Sequence, residues 1–169
     1  LSFKMREVIC IKKGKVGKDK EFGRVFQLGR ICGNFLVAYT CTSLNMNDKL
    51  SLQAVLQEHQ NIFGKDILTS VTADKGYYTK DNVKFVKENI GNADGIQRPV
   101  NIKDQVVGPQ KEELYNRRSG VEPIIGHAKR FGLGKSKMKS DEATLASGYR
   151  SVMGFNLHQI IRNFAGEVK

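Results

Sequence analysis

The sequence has too few cysteines, placed too far apart, for a disulfide framework or a zinc site. Its cysteines are Cys10, Cys32 and Cys41, and they contain no Cys-x-x-Cys pair. No apolar run approaches the ~18 residues of a membrane-spanning helix, and no secretory signal opens the chain. We therefore expect a cytoplasmic protein with no membrane partner.

Acidic residues are also scarce. The 169 residues include 17 Asp+Glu against 28 Lys+Arg, which gives a formal net charge of +11. Such an excess favours a polyanionic partner, because each phosphate that Lys or Arg neutralises releases condensed counterions. A nucleic acid is the expected partner, although composition alone also allows a structural RNA-binding protein. With 40% hydrophobic residues, the chain has enough apolar material for the core of one globular domain.

Hydrophobic patterning predicts alternating strands and helices. We interpret residues 1–21 as a basic amino-terminal segment with a short edge strand, and residues 22–169 as the main domain. The predicted elements of that domain are a hairpin of residues 22–31 and 34–43, helices at 50–63, 79–88, 111–130 and 141–164, and strands at 67–73 and 95–100.

The predicted helix at 111–130 carries four polar residues at helical spacing. At roughly 100° per residue, Tyr115, Arg118, Glu122 and Lys129 fall in one stripe about 60° wide. A carboxylate beside two cations stays ionised, as a hard divalent metal requires. A solvated helix face held by ion pairs is the alternative. Pro123 predicts a kink in this helix.

The spacing Tyr-x2-Arg-x3-Glu-x6-Lys resembles the YREK signature of insertion-sequence transposases of the DDE type. Upstream, Ala73-Asp74-Lys75-Gly76-Tyr77-Tyr78 is similar to the second-aspartate motif of that family, and Asn156-Leu157 to a late helix. The resemblance covers nearly the whole chain. It implies the carboxy-terminal part of a catalytic domain that hydrolyses and transfers phosphodiesters at transposon ends.

The resemblance also implies a fold and a set of site residues. The fold is an α/β, RNase H-like mixed sheet flanked by helices and lacking its first strand. Asp74 and Glu122 are the implied catalytic and metal-binding residues, with support from Tyr115, Arg118 and Lys129. The implied DNA-binding residues are Lys75, Arg117, Arg130, Lys135 and Lys137, although residues 132–139 could equally form a plain solvated loop.

The implied cofactors are two Mg²⁺ or Mn²⁺ ions, which three carboxylates usually hold. The family's first aspartate precedes the hairpin, where Glu7, Asp19 and Glu21 stand in no matching motif. We interpret Asp48 as a helix-capping residue.

We therefore expect the first aspartate upstream of Leu1, so that the present chain is a catalytic fragment. The alternative is an inactive transposase remnant that binds DNA non-specifically. The implied partners are transposon ends and target DNA, with a possible homodimer on DNA, in association with the nucleoid.

Overall fold

A computed structural model describes residues 9–15, 18–40, 47–91, 95–99 and 109–167. Contacts divide the chain into two compact units, residues 46–122 and residues 1–45 with 123–169. The strands are β1 (Ile9–Lys15), β2 (Lys18–Gly23), β3 (Gln27–Arg30) and β4 (Leu36–Tyr39), and the helices are α1 (Asp48–Phe63), α2 (Lys80–Asn89), α3 (Pro109–Ser119), α4 (Val121–Ala128) and α5 (Asp141–Glu167). None of the described helices is long and apolar enough to cross a membrane.

The unit formed by residues 1–45 and 123–169 contains two antiparallel hairpins, β1 with β2 and β3 with β4. The predicted hairpin of residues 22–31 and 34–43 is confirmed in β3 and β4. Residues 22 and 23, however, belong to β2, and residues 41–43 lie outside the described residues. Asn156 of α5 connects that helix to β4 through two hydrogen bonds. Its Oδ1 accepts from the Leu36 N–H at 2.9 Å, and its Nδ2 donates to the Leu36 carbonyl at 2.8 Å.

The unit formed by residues 46–122 packs α1 and α2 around a separate core. Helix α1 begins where the Asn47 side chain accepts from the Leu50 N–H, and it ends at Gly64, whose φ of 100° favours glycine. Thr79 caps α2 in the same way. The buried apolar residues of this core are Leu52, Leu56, Val71, Ala73, Val86 and Ile96.

The predicted strands at 67–73 and 95–100 are wrong as regular strands. Their described residues are joined by one parallel bridge, between Ala73 and Ile96. Apolar runs predict burial, which Val71, Ala73 and Ile96 show, but a ladder also needs a partner that stays paired over several residues. Since the sheets in the described residues are two-stranded, the mixed RNase H-like sheet remains a prediction.

The predicted helix at 111–130 is interrupted at Gly120, and its end, Lys129–Phe131, forms a 3-10 turn. Glycine gains the most conformational freedom outside a helix. Pro123 causes no kink, because it is the third residue of α4, where its missing N–H has no intrahelical partner to lose. The single-helix stripe is therefore wrong. Tyr115 and Arg118 lie on α3, whereas Glu122 is the second residue of α4. The prediction at 141–164 is confirmed by α5.

Candidate active site

Asp74 lies at the start of a tight turn that follows the bridge between Ala73 and Ile96. It caps the 3-10 turn Lys75–Tyr77, and its Oδ1 accepts from the Lys75 N–H at 2.7 Å. The Tyr77 N–H donates to the Asp74 carbonyl at 2.9 Å, which closes the turn. The Asp74 side chain is 58% exposed, so its carboxylate is fixed by the backbone and yet accessible.

Arg118 of α3 forms an ion pair with this carboxylate. Its NH1 lies 3.4 Å from Asp74 Oδ1, across 44 positions of sequence. The Arg118 side chain is 29% exposed, and its buried Nε has no hydrogen-bond partner among the described residues. The guanidinium therefore lies beside an accessible carboxylate, while its Nε is shielded from solvent.

Asp48 does not cap α1, because Asn47 takes that role. The interpretation of Asp48 as a capping residue is therefore wrong. Asp48 is the first residue of the helix, and its carboxylate accepts a hydrogen bond from the Tyr77 hydroxyl. Burial, together with the negative charges of Asp48 and Asp74, raises the pKa of Tyr77 to about 12. Tyr77 therefore keeps its proton and acts as a hydrogen-bond donor.

The other residues of the predicted site have different surroundings. Glu122 is exposed at the start of α4, and Tyr115 is half-buried on α3. The contacts described for Asp74 do not include Glu122, so their meeting at one metal stays a prediction. Lys129 belongs to the other unit, where a Cβ placed on Gly134 would lie 3.3 Å from the Lys129 Cγ.

The predicted DNA-binding residues are exposed. One of them, Arg117, forms an ion pair with Glu113 at 2.7 Å. In the unit of residues 1–45 and 123–169, Lys135 and Lys137 line a cleft of ≈ 480 Å³. An ion pair between Arg24 and Asp141, at 2.5 Å, lies in the same cleft. The exposed residues of this set are Lys75, Arg117, Arg130, Lys135 and Lys137.

The donor chemistry of Asp74 fits a divalent cation. Both of its side-chain hydrogen bonds go to Oδ1, so Oδ2 can take a ligand, and carboxylate oxygen is the ligand that Mg²⁺ and Mn²⁺ prefer. Within the described residues, no three His, Cys, Asp or Glu side chains cluster closely enough to hold an ion. Asp74 would thus supply one ligand of such a site, and the remaining carboxylates would have to come from elsewhere.

Two residues near this site escaped the sequence analysis. Asn82 is 1% exposed, and its side chain bonds to the turn that carries Asp74 and to the first turn of α1. Gln53 donates to Asn82 Oδ1 at 3.1 Å. One signal was available: Asn82 stands four residues before the inward-facing Val86, on the same face of α2.

On this α/β framework, Asp74 offers an oxygen ligand that suits a divalent cation, and Arg118 beside it has the geometry that suits a phosphate. Residues 27–157 match the family model of the transposase DDE domain. This match covers more than half of the chain, which therefore belongs to the DDE transposase family. No curated protein and no solved structure is significantly similar to the chain.

Membership of this family indicates a transposition-related nuclease function and a DNA substrate. The family generally uses divalent metal ions. The matched residues include Asp74, Arg118 and Glu122, and they leave out β1 and β2.

Proposed function

We propose that this chain is the carboxy-terminal part of the catalytic domain of an insertion-sequence transposase of the YREK type. It acts in phosphodiester hydrolysis and strand transfer at transposon ends. The observation that carries the proposal is the pairing of Asp74 with Arg118 at 3.4 Å, inside the matched range. These two residues come from the two motifs that resemble the family.

In this proposal Asp74 and Glu122 hold Mg²⁺ or Mn²⁺. Ions held by these two carboxylates would supply Lewis-acid stabilisation of the negative charge that develops on the phosphodiester oxygens. Arg118 orients the Asp74 carboxylate and offers its remaining donors to a DNA phosphate. Tyr77 holds its proton and anchors the turn to Asp48. The exposed cations bind the DNA backbone.

The first carboxylate of the triad is proposed to come from the natural sequence that precedes residue 1. Two carboxylates can hold one ion weakly, but they neutralise and space two ions poorly. A chain extended upstream is therefore expected to nick DNA that carries the element's ends when Mg²⁺ is present. The 169 residues alone are expected to bind DNA and leave it intact.

Glu122→Gln in the extended chain tests the site directly. The substitution removes a metal ligand and leaves every cation in place, so plasmid nicking should be lost while DNA binding, measured by fluorescence anisotropy, is retained. Glu142→Gln, an exposed glutamate in the first turn of α5, is the matched control and should nick normally. Full nicking by the Glu122→Gln protein would overturn the assignment.

The same assay distinguishes the enzyme from an inactive remnant. A remnant would bind DNA with similar salt dependence, yet the extended chain would not nick with either Mg²⁺ or Mn²⁺. Light scattering of the DNA complex would test the proposed homodimer, because a dimer that pairs two ends doubles the protein mass per complex.

A further inference from the structure

Asn82 lies at the centre of a buried polar network beside the turn that carries Asp74. Its Nδ2 donates to the Lys49 carbonyl and to the Tyr77 carbonyl, both at 2.8 Å. Its Oδ1 accepts from Gln53 Nε2 at 3.1 Å. Both amide hydrogens and the amide oxygen therefore have partners. Since only NH₂ can serve two carbonyls, the network also fixes the orientation of the amide.

The two carbonyls belong to different parts of the same unit. Lys49 lies in the first turn of α1, and Tyr77 ends the 3-10 turn that Asp74 caps. The turn is internally closed by hydrogen bonds from the Tyr77 N–H to the Asp74 carbonyl and from the Tyr78 N–H to the Lys75 carbonyl. It therefore moves as one piece. The Asn82 bridge determines where that piece lies on α1.

A second contact aligns the turn with α1 at the surface. Asp48 accepts from the Tyr77 hydroxyl. A Cβ atom on Gly76 would lie 3.2 Å from Asp48 Oδ2, so the backbone of the turn runs close to that carboxylate. In this contact Asp48 is exposed and Tyr77 is partly buried, whereas Asn82 is 1% exposed. A buried polar group left without its partner is more costly than an exposed one, so Asn82 is the stronger of the two constraints.

We propose that Asn82 is a positioning residue for Asp74, which it places by binding the Tyr77 carbonyl to the first turn of α1. Asn82 is bonded to the backbone of the turn rather than to the Asp74 carboxylate, so it acts through that backbone. The part of the inference that concerns metal rests on the proposed role of Asp74. The placement of the turn does not.

The test compares variants of the 169-residue chain by NMR, with and without Mn²⁺. Asn82→Ala should shift the amide signals of Lys75, Gly76 and Tyr78 in the metal-free protein. It should also raise the Mn²⁺ concentration needed for half-maximal paramagnetic broadening of these signals about tenfold. A factor of this size is typical of residues that orient a metal ligand.

Two controls on the same helix separate positioning from stability. Val86→Ala removes a side chain that is 0% exposed and lowers stability, but it leaves every hydrogen bond of Asn82 in place. Asn89→Ala removes an exposed bond to the Phe85 carbonyl, 2.8 Å long. Both variants should leave the amide signals of the turn unshifted. The Mn²⁺ concentration needed for half-maximal broadening should stay within about twofold of its value in the unaltered chain. If Val86→Ala shifted the turn signals and weakened the Mn²⁺ broadening as much as Asn82→Ala does, the inference would be overturned.

Asn82→Asp keeps the size of the side chain and the acceptor for Gln53 but loses the two donors. It should reproduce the effect of Asn82→Ala, and it provides the test if the alanine variant does not fold. If Mn²⁺ fails to broaden these signals in the unaltered chain, the metal role of Asp74 fails. The shifts in the metal-free protein then decide the positioning role, and unchanged signals in both Asn82 variants would overturn it.

Discussion

At the scale of single residues, Arg118 combines an ion pair to Asp74 with an Nε that has no partner among the described residues. Arg118→Ala should therefore weaken DNA binding about equally for all sequences and reduce the log–log salt slope by about 1. The free energy of unfolding should change by about 1 kcal/mol or less, because partly exposed ion pairs contribute little. Fluorescence anisotropy and urea unfolding measure the two effects.

Lys84→Ala is the matched control for Arg118→Ala. Lys84 also pairs with a carboxylate, Glu88, at 3.9 Å, but it lies on α2 and outside the predicted DNA-binding set. Its removal should leave the salt slope nearly unchanged. If both variants lose the same affinity, Arg118 contributes only its general charge.

Tyr77 gives the site a measurable dependence on alkaline pH. Its pKa is raised from 10.0 to about 12 on folding. The folded state thus holds the phenolic proton more tightly, and the resulting stability is complete below pH 10 and lost as the pH rises towards 12. Between pH 10 and 12 the unfolding free energy of Tyr77→Phe should therefore fall less than that of the unaltered chain. After allowance for solvent screening, the difference should be on the order of 1 kcal/mol.

Urea unfolding of both proteins at several pH values up to 11 measures that difference, and lysine titration is common to the two. Asp48→Asn removes one of the charges that raise the pKa of Tyr77, so its curve should fall between the other two. Parallel curves for Tyr77→Phe and the unaltered chain would show that the phenol does not contribute.

At the scale of elements, Gly95 allows the two extended segments of the 46–122 unit to meet. A Cβ on Gly95 would lie 2.1 Å from the Val71 carbonyl oxygen, a backbone atom that cannot easily move. Gly95→Ala should therefore break the bridge between Ala73 and Ile96 and cost about 2 kcal/mol or more. Urea unfolding measures the loss, and NMR of Asp74 and Lys75 should show the displaced turn.

Gly126→Ala is the contrasting control for Gly95→Ala. A Cβ at Gly126 would meet nothing within 4 Å, and the residue lies inside α4. Alanine there should be neutral or should stabilise the chain by up to about 1 kcal/mol, because it favours the helix. A similar loss of stability in both variants would contradict the close approach at Gly95.

The elements that the sequence predicted well are those whose signals are local. The glycine stop at Gly64 and the cap at Thr79 lie within a few residues of the helix ends that they define. The kink predicted at Pro123 was wrong because the effect of a proline depends on where the helix begins. The break at Gly120 places Pro123 in the first turn of α4. Asn82 was missed because its partner Lys49 is 33 positions away, and no local pattern encodes that contact.

At the scale of the whole molecule, the motif resemblance predicted more of the site than periodicity did. It selected Asp74 and Arg118, which the fold brings together across 44 positions. The helical stripe, in contrast, assumed one straight helix, and the break at Gly120 removes that assumption. The association of Glu122 with Asp74 therefore rests on the family signature and on the metal-binding tests above.

From the net charge of +11, we expect the affinity of the chain for DNA to depend strongly on salt concentration. If Arg118 and the five predicted DNA-binding residues, Lys75, Arg117, Arg130, Lys135 and Lys137, each contact one phosphate, the logarithm of the affinity for duplex DNA should fall with the logarithm of salt concentration with a slope of about −5.4. The slope should be similar for unrelated sequences, because phosphate contacts carry no base information.

A double variant tests whether the cleft residues supply part of this slope. Lys135→Ala with Lys137→Ala should reduce its magnitude by about 2. Lys84→Ala with Lys87→Ala removes the same charge from exposed positions of α2, outside the predicted set, and should change the slope little. Tighter binding of duplex RNA than of duplex DNA would favour the RNA-binding alternative. A flat salt dependence in the unaltered chain would remove the electrostatic account of DNA binding, because counterion release requires that slope.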